Sequence, residues 1–516
     1  MKSKWFWIIC ILLCLYLSIF SFQKINFLTA DIGRHIKNGE IFLNSAEFGI
    51  SKSELLHTNL FSYTYPDFSF INHHWGSGIL IYIVFLLSGY SGLSLAYTLC
   101  IILAFIFTLQ TVKEDGDISN ILLVGLFLVP LIADRTEVRP EAVSYLFISI
   151  FIYILYQFSK GRINYKLLFL IPVLEMLWSN LHIYFIFGPF LIGAFLFEAL
   201  IRRNIFIAKK LGIILILTFL VTLVTPYGLS GFLYPFTIFS NYGYMIVENQ
   251  SIPFLEKLSF TNPSFLWYKI TFGVIALSSF LVLVYKRRNF AIALTVISLT
   301  FAVLAFLGIR HITAFALVSL PILIYNISTL QKHFFDKKNR EQIIFISGVL
   351  SFLIITGTLI HFSGKLAWNR DFGLGLRGHS FDSINFIKNA AIAGPIFNNY
   401  DIGGAMIFAF FPKEKVFVDN RPEVYPEEFF SDIYIPMQEN STIWQQVDNK
   451  FNFNAIYFYR LDMTPWAQNF LIQRIDDPKW APVYVDGETL IFLKRNPENS
   501  KIISEYELPR DMFRTP

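Results

Sequence analysis

Asp31 lies a few residues beyond the first hydrophobic run and opens the segment D31-I-G-R-H35. A carboxylate just outside a hydrophobic helix has two chemical uses. It can take the proton of an acceptor nucleophile as general base, or help hold a divalent cation beside a phosphate. Its ordinary structural use is to cap the helical stretch that runs on to Leu43. Arg34 and His35 stand beside it, and His73 and His74 close the same polar segment, Lys24 to Trp75. A second concentration, A133-D-R-T-E-V-R-P-E141, packs Asp134, Glu137, Glu141, Arg135 and Arg139 into one turn between two apolar runs. Charges so close to hydrocarbon are costly unless they pair or face water. A planar guanidinium matches phosphate oxygens, so Arg135 and Arg139 are candidate ligands for a lipid phosphate. Asp134, Glu137 or Glu141 would then orient them or supply a second carboxylate. The alternative is an internal ion-pair network that ties two helices together.

Further turns carry Asn180 and His182, in Trp178-Ser-Asn-Leu-His182, and the pair Arg310-His311. Glu248 lies in N241-Y-G-Y-M-I-V-E248, inside a long polar segment rich in aromatic and amide groups that suit sugar rings. Three Cys (Cys10, Cys14, Cys100) sit inside hydrophobic runs and cannot frame a disulfide or zinc site. Zinc is poorly served elsewhere, because no HExxH or CxxC occurs and the adjacent side chains of His73-His74 diverge. Neither a GxGxxG after a strand nor a GxxxxGK[ST] is present, so ATP- or NAD-driven chemistry has no support. No cofactor is therefore called for beyond a divalent metal at Asp31. A substrate that already carries its activation, such as a polyprenyl-phosphate sugar, removes the need for a nucleotide.

The elements that must position these groups are mostly hydrophobic helices. Of 516 residues, 54% are hydrophobic and only 15% charged, with 57 Phe and 25 Tyr, against about 25% charge in a globular domain. The first run, Trp5 to Phe22, follows Lys2 and Lys4 and lacks a small-residue cleavage site, so it reads as a retained span. Crossing ~30 Å of hydrocarbon takes about 20 helical residues, which Ile79–Leu87 cannot supply; that piece reads as an interfacial helix ending at Gly89-Tyr-Ser-Gly92. Spans follow at residues 93–112, 118–133, 141–158, 166–180, 183–201, 206–225, 267–285, 290–308, 312–327 and 343–361.

Lys and Arg crowd alternate loops (Lys113; Lys160, Arg162 and Lys166; Arg202 to Lys210; Lys286 to Arg288; Lys332 to Arg340). This pattern puts the N-terminus in the cytoplasm and the candidate residues outside. It also explains the net charge of +5 without nucleic-acid binding. Beyond His361 the runs shorten. Residues 394–398, 415–419, 454–459, 481–486 and 489–494 read as strands, interleaved with helical stretches at FDSINFIKNA, IGGAMIFAF and Thr442–Lys450. The fold expected is a mainly α polytopic bundle of about 11 spans, residues 1–361, whose first outside loop, 24–77, carries the candidate catalytic residue Asp31. An extracytoplasmic α/β domain, residues 362–516, follows.

ADIGRHIKNGEIFLNS, FSYTYPDFSFINHHWGSGILIYIVFLLSGYSGL, RPE, WSNLH and VFVDNRPEVY together resemble the C-type glycosyltransferases. Within that fold the resemblance is to the protein O-mannosyltransferase and lipid A aminoarabinose transferase group. The resemblance implies an outward cavity, a polyprenyl-phosphate-linked sugar donor and a catalytic Asp in the first outside loop, here Asp31. Many relatives pair two acids at that spot, whereas Ile32 follows Asp31 here, which makes Glu137 or Asp134 the more attractive second acid.

On this reading the chain moves a sugar to a glycan, lipid or protein acceptor. Arg135, Arg139, Arg310 and His311 meet the phosphate, while Arg34, His35, His73, His74, Glu141, Asn180, His182 and Glu248 line the cavity. The D419-N-R421-P-E423-V-Y425 patch reads as a folded turn. The alternatives are a non-catalytic membrane scaffold of the same fold, and a lipid-linked-glycan transporter. The scarcity of charge in mid-span counts against the transporter.

Overall fold

The computed structural model describes residues 2–135, 137–238, 242–335, 340–362 and 371–513. Its chain forms two compact units, each assembled from separated stretches. One comprises Met1–Lys24, Ser91–Pro235 and Ile246–Gly375; the other comprises Ile25–Tyr90, Phe236–Met245 and Leu376–Pro516. The polar segment after the first hydrophobic run is thus grouped with the C-terminal chain.

The first unit is helical. Helices stand at each position where the sequence suggests a span, and six of the chain's helices are long and apolar enough to cross a membrane. Their surfaces are the wrong way round for water. Helix Lys2–Ser21 buries Phe6, Leu13, Leu17 and Phe20 yet exposes Trp5, Ile11, Leu15 and Ile19. Leu200, Phe206, Ile216, Leu277 and Phe280 are likewise exposed on other helices. An apolar exterior of this extent is solvated by lipid tails, and the chain is an integral membrane protein.

Helix Ile312–Phe334 is the axis of this unit, with every residue from Ile312 to Asn326 buried. Helices Ile118–Ile132, Pro263–Tyr285 and Ile292–Leu307 pack around it. A helix apolar on all sides is stable only inside such a sheath. Its few polar groups bond across helices: Asn326 Nδ2 reaches Ser278 Oγ at 3.2 Å and Ser279 Oγ at 3.0 Å, and Asn120 Nδ2 donates to Ser328 Oγ at 2.9 Å.

The short apolar piece starts earlier than the sequence suggests, at Trp75, in a helical run to Thr111. That run is broken at Gly89 (φ 61°, ψ −157°), a conformation open in practice only to glycine. The boundary between the units falls at the next peptide, Tyr90–Ser91.

The second unit contains a four-stranded sheet ordered β1-β2-β4-β3, with β1 Ile396–Asn398, β2 Ala455–Tyr459, β3 Trp480–Val485 and β4 Thr489–Lys494. β1 and β2 are parallel; the other pairs are antiparallel. All five residues of β2 are buried, as befits a strand covered on both faces. Phe397, Trp444, Phe453, Phe470 and Trp480 form the aromatic centre. The β3–β4 turn is closed by Asp486, whose Oδ1 accepts from the Glu488 and Thr489 amides at 2.8 and 2.6 Å.

Residues 415–419, expected as a strand, are not one. The side-chain amide of Asn398 takes the place of a strand partner, accepting from the Phe417 amide at 2.9 Å and donating to the Val418 carbonyl at 2.7 Å. On its other side the segment makes one bridge, Ser62 to Val416.

Helix Ile32–Leu43 is buried along most of its length, and two glycines let it in. A Cβ on Gly33 would lie 2.7 Å from the Gly404 carbonyl oxygen, in helix Gly403–Phe410. One on Gly39 would lie 2.1 Å from that of Gly78. Backbone cannot yield as a flexible side chain can. Gly33→Ala is therefore expected to lower stability by about 1–3 kcal/mol, read as thermal unfolding of the purified protein in detergent. Gly212→Ala, in a helix where the added Cβ meets nothing within 4 Å, should leave stability unchanged or slightly raised.

Candidate functional site

The candidate residues fall into two sets, one in each unit. In the second unit Asp31 occupies the N-cap position of helix Ile32–Leu43, yet its side chain makes no capping hydrogen bond. Its Oδ1 instead accepts from Asn420 Nδ2, and its Oδ2 lies 3.8 Å from Arg34. Arg34 Nε donates in turn to Asn420 Oδ1 at 3.4 Å. The Asp31 side chain keeps 18% of its surface exposed against 5% for Arg34, so the carboxylate is fixed but reachable.

Behind it lies a fully buried pair. Arg421 grips Asp419 through Nε at 2.8 Å and Nη2 at 2.7 Å, and donates to Asn59 Oδ1 at 3.0 Å. Phe61 and Phe70 flank its guanidinium, each ring centroid 5.2 Å away. The segment read as a folded turn therefore supplies Asn420 to Asp31 and an anchored base beneath it. Burial pushes the Glu423 carboxyl above its ordinary value despite Arg34 and Arg421, so the same cluster also holds an acid that resists ionisation. His35, His73 and His74 gather close by, with ring centroids 5.3 Å apart for His35–His74 and 3.9 Å for His73–His74. Among the described residues no three His, Cys, Asp or Glu converge to hold a metal ion.

In the first unit the 133–141 turn meets the 246–250 segment and the Arg310 turn in a network of charges. Arg135 is bound on both sides, by Glu141 at 2.6 Å and Glu248 at 2.7 Å. Arg139 pairs with Glu137 at 2.6 Å and Glu248 at 2.9 Å. Arg310 donates to Asn249 at 2.9 Å and lies 4.0 Å from Glu141. Three guanidinium groups thus face three carboxylates. Burial works against the charge of Arg135, but Glu141 and Glu248 outweigh it and hold the group above its ordinary value. Burial raises Glu248 too, and there Arg135, Arg139 and Arg310 prevail, keeping its carboxyl well below the usual range.

Beside this network, Tyr184 stacks on His311 at 5.3 Å and meets His182 at 4.6 Å. His182 Nδ1 is 2.9 Å from Ser144 Oγ, which accepts from Trp178 Nε1 at 2.8 Å. Burial pushes that imidazole down to about 3, so it sits neutral in the core. Asp134 is turned to Ser264, and Asn180 donates to the Met176 and Val224 carbonyls at 2.8 and 2.9 Å. Asn180 has no hydrogen bond to the charge network among the described residues. Asn241, the first residue of the aromatic stretch, lies outside the described residues, while Tyr244 in that stretch stacks on Tyr400 at 4.4 Å within the second unit.

Asn59, Asn249 and Asn420 escaped the sequence reading. Each is an amide whose partner lies far along the chain, and an amide carries no charge pattern to mark it.

This architecture is the C-type glycosyltransferase fold. Among solved structures, the chain is similar to the oligosaccharyltransferase AglB from Archaeoglobus fulgidus in complex with an inhibitory peptide and a dolichol-phosphate. The TM-score is 0.63, with 11% identity over 95% of this chain and 74% of that one. It is also similar to the Archaeoglobus fulgidus oligosaccharyltransferase tethered through a disulfide to an acceptor peptide containing the NVT sequon. There the TM-score is 0.59, with 13% identity over 96% of this chain and 74% of that one. No protein-family model matches the sequence, and no curated protein matches it.

Removing Glu248 would take from Arg135 one of its two carboxylates and from Arg139 the more buried of the two it meets. Glu248→Gln is expected to cost about 2–4 kcal/mol, as for other broken buried pairs. The ionised form of Glu248 is favoured by folding, so its contribution is complete above the unfolded value of about 4.3 and declines as pH falls below it. Thermal unfolding should show a constant gap between wild type and Glu248→Gln from about pH 8 to 5, narrowing below about pH 4.5. A gap that widens towards acid would contradict the network.

Proposed function

We propose that this chain is a membrane glycosyltransferase that moves a sugar from a polyprenyl-phosphate-linked donor to an acceptor on the extracytoplasmic face. The observation that carries the reading is Asp31. A carboxylate at a helix start that declines to cap, and is held part-exposed by an amide and a buried arginine, is oriented for work on something outside the helix. Its fold neighbours are an oligosaccharyltransferase solved with a dolichol-phosphate and one solved with an acceptor peptide. Those complexes suggest a lipid phosphate and a peptide as the classes to try first.

Asp31 takes the proton of the acceptor hydroxyl as that oxygen attacks the anomeric carbon. The bond from that carbon to the phosphate oxygen breaks, its electron pair leaves with the lipid phosphate, and the anomeric centre inverts. Asn420 fixes one carboxylate oxygen and leaves the other to face Arg34 and the acceptor.

The phosphate charge falls to Arg139 and Arg310 rather than Arg135. Arg135 is clasped by two carboxylates, whereas one partner of Arg139, Glu137, is half exposed, and Arg310 donates to the neutral amide of Asn249 and lies 4.0 Å from Glu141. A phosphate displacing Glu137 would keep the network balanced. Such placed donors are the largest electrostatic aid to a developing anion. The domain division read from the sequence, with loop 24–77 bearing the catalytic acid, belongs to the same proposal.

One observation favours a second reading, a non-catalytic scaffold of the same fold: the arginines of the charge network already have carboxylate partners. The two readings part at Asp31→Asn. With a polyprenyl-phosphate sugar and a peptide acceptor in reconstituted membranes, this variant should insert and fold as wild type but lose about 100- to 10,000-fold in transfer rate. Full transfer by a folded Asp31→Asn protein would remove the base; no transfer by wild type across donor and acceptor classes would leave the scaffold.

A further inference from the structure

The helices that carry the charge network at one end carry a different polar site at the other. Helix Glu141–Ser159 starts in the network and ends at Lys160, about 28 Å along its axis. Helix Phe187–Ile201 ends at Arg202, and helix Ile292–Leu307, whose far end leads to Arg310, begins just after Arg288 and Asn289. These ends enclose a cavity of about 300 Å³.

The acid on its wall, Glu198, is already engaged. Glu198 accepts from Arg202 Nε at 2.7 Å and from the Ala293 amide at 2.8 Å. The remaining nitrogens of Arg202 donate to the Arg288 and Phe290 carbonyls at 3.3 and 2.5 Å, so this guanidinium is wall rather than ligand. Nearby Asp115 is held by Arg162 through both oxygens, each at 2.8 Å, and by Tyr156 at 2.9 Å. Two cations on the cavity are left unbalanced. Lys160 and Arg288 have no ion pair among the described residues. The Lys160 ammonium lies over the rings of Tyr156 and Tyr325, 5.2 and 5.4 Å from their centroids, which places the charge without neutralising it.

We infer that this cavity seats the phosphate of an anionic bilayer lipid, with Lys160 and Arg288 as its counter-charges. A cavity between helix ends, with net positive lining, on the side where the basic loops gather, has the chemistry of a headgroup site. Its rim favours a lipid over a soluble phosphate: Leu200, Ile201, Ile205 and Phe206, next to Arg202 and Asn204, are more than half exposed and offer acyl chains a path. The site is separate from the sugar-transfer reading and does not depend on it.

The test uses the full chain in phosphatidylcholine nanodiscs, with phosphatidylglycerol or millimolar inorganic phosphate added, read by native mass spectrometry and by the unfolding midpoint. Wild type should retain phosphatidylglycerol over phosphatidylcholine and unfold at a higher temperature with it. Lys160→Gln/Arg288→Gln should weaken that retention about tenfold or more, and Lys160→Gln alone should weaken it in part. Arg203→Gln/Lys209→Gln, which removes two exposed basic residues of neighbouring chain that do not line the cavity, should keep it. Equal loss in this control, or none in the cavity variants, overturns the site. If inorganic phosphate alone raises the midpoint and displaces phosphatidylglycerol, the occupant is a soluble phosphate and the lipid assignment falls.

Discussion

An arginine beside hydrocarbon must find its counter-charge inside the protein, and the first unit is organised around that constraint. Arg135 cannot be solvated by lipid, so it is held between Glu141 at the start of one helix and Glu248 in a distant loop. Glu248 also serves Arg139, and Glu141 lies near Arg310 at the head of the central helix. Three turns, 113 and 61 residues apart along the chain, are thereby tied to one another. Buried pairs of this kind add little net stability over apolar packing, but removing one partner is expensive. Their worth here is geometric: they set the register of helix ends whose apolar sides would tolerate sliding.

The second unit solves a different problem, bringing a carboxylate and an amide together across most of the chain. Close backbone approach does it. Gly33 and Gly404 let two helices touch without intervening side chains, and the loop after the second helix then delivers Asn420 to Asp31. Beneath that contact, Asp419 and Arg421 neutralise each other between two phenylalanine rings. The loop is therefore rigid for a reason separate from the contact it makes. A polar residue placed by such a base keeps its orientation when the carboxylate it serves changes partner.

Periodicity and charge alternation made the helical unit legible. A run of apolar residues long enough to span has few alternatives, and a basic loop marks its end, so the helices stand where the runs do. Gly89 was readable for a related reason, since a Gly-Tyr-Ser-Gly tract interrupts an apolar pattern. Residues 415–419 misled because alternating Val and Phe report burial, not pairing; the hydrogen bonds a neighbouring strand would give come instead from the side chain of Asn398. The 133–141 charges announced themselves by density, and pairing within the turn was foreseeable. Glu248 as the shared partner was not, because the 109 and 113 residues between it and the two arginines carry no pattern that links them. Asp31 stood out by position alone, and its partner Asn420, 389 residues away, could be found only in three dimensions.

The two ends of the helical unit contrast in how they treat positive charge. Around Arg135 every cation meets a carboxylate, and the net field a passing anion feels is small until a pair opens. Such an end is selective: it rewards an anion that can replace a carboxylate in place, and ignores one that merely approaches. Around Lys160 the acids are already committed to Arg162 and Arg202, and two tyrosine rings support the Lys160 ammonium without cancelling its charge. That end attracts anions at longer range and with less discrimination, limited by screening over about 10 Å. The same helices therefore join a balanced, geometry-dependent cluster to an unbalanced, field-dependent one. This division fits the two proposed roles, a lipid phosphate met at one end and an anionic headgroup seated at the other.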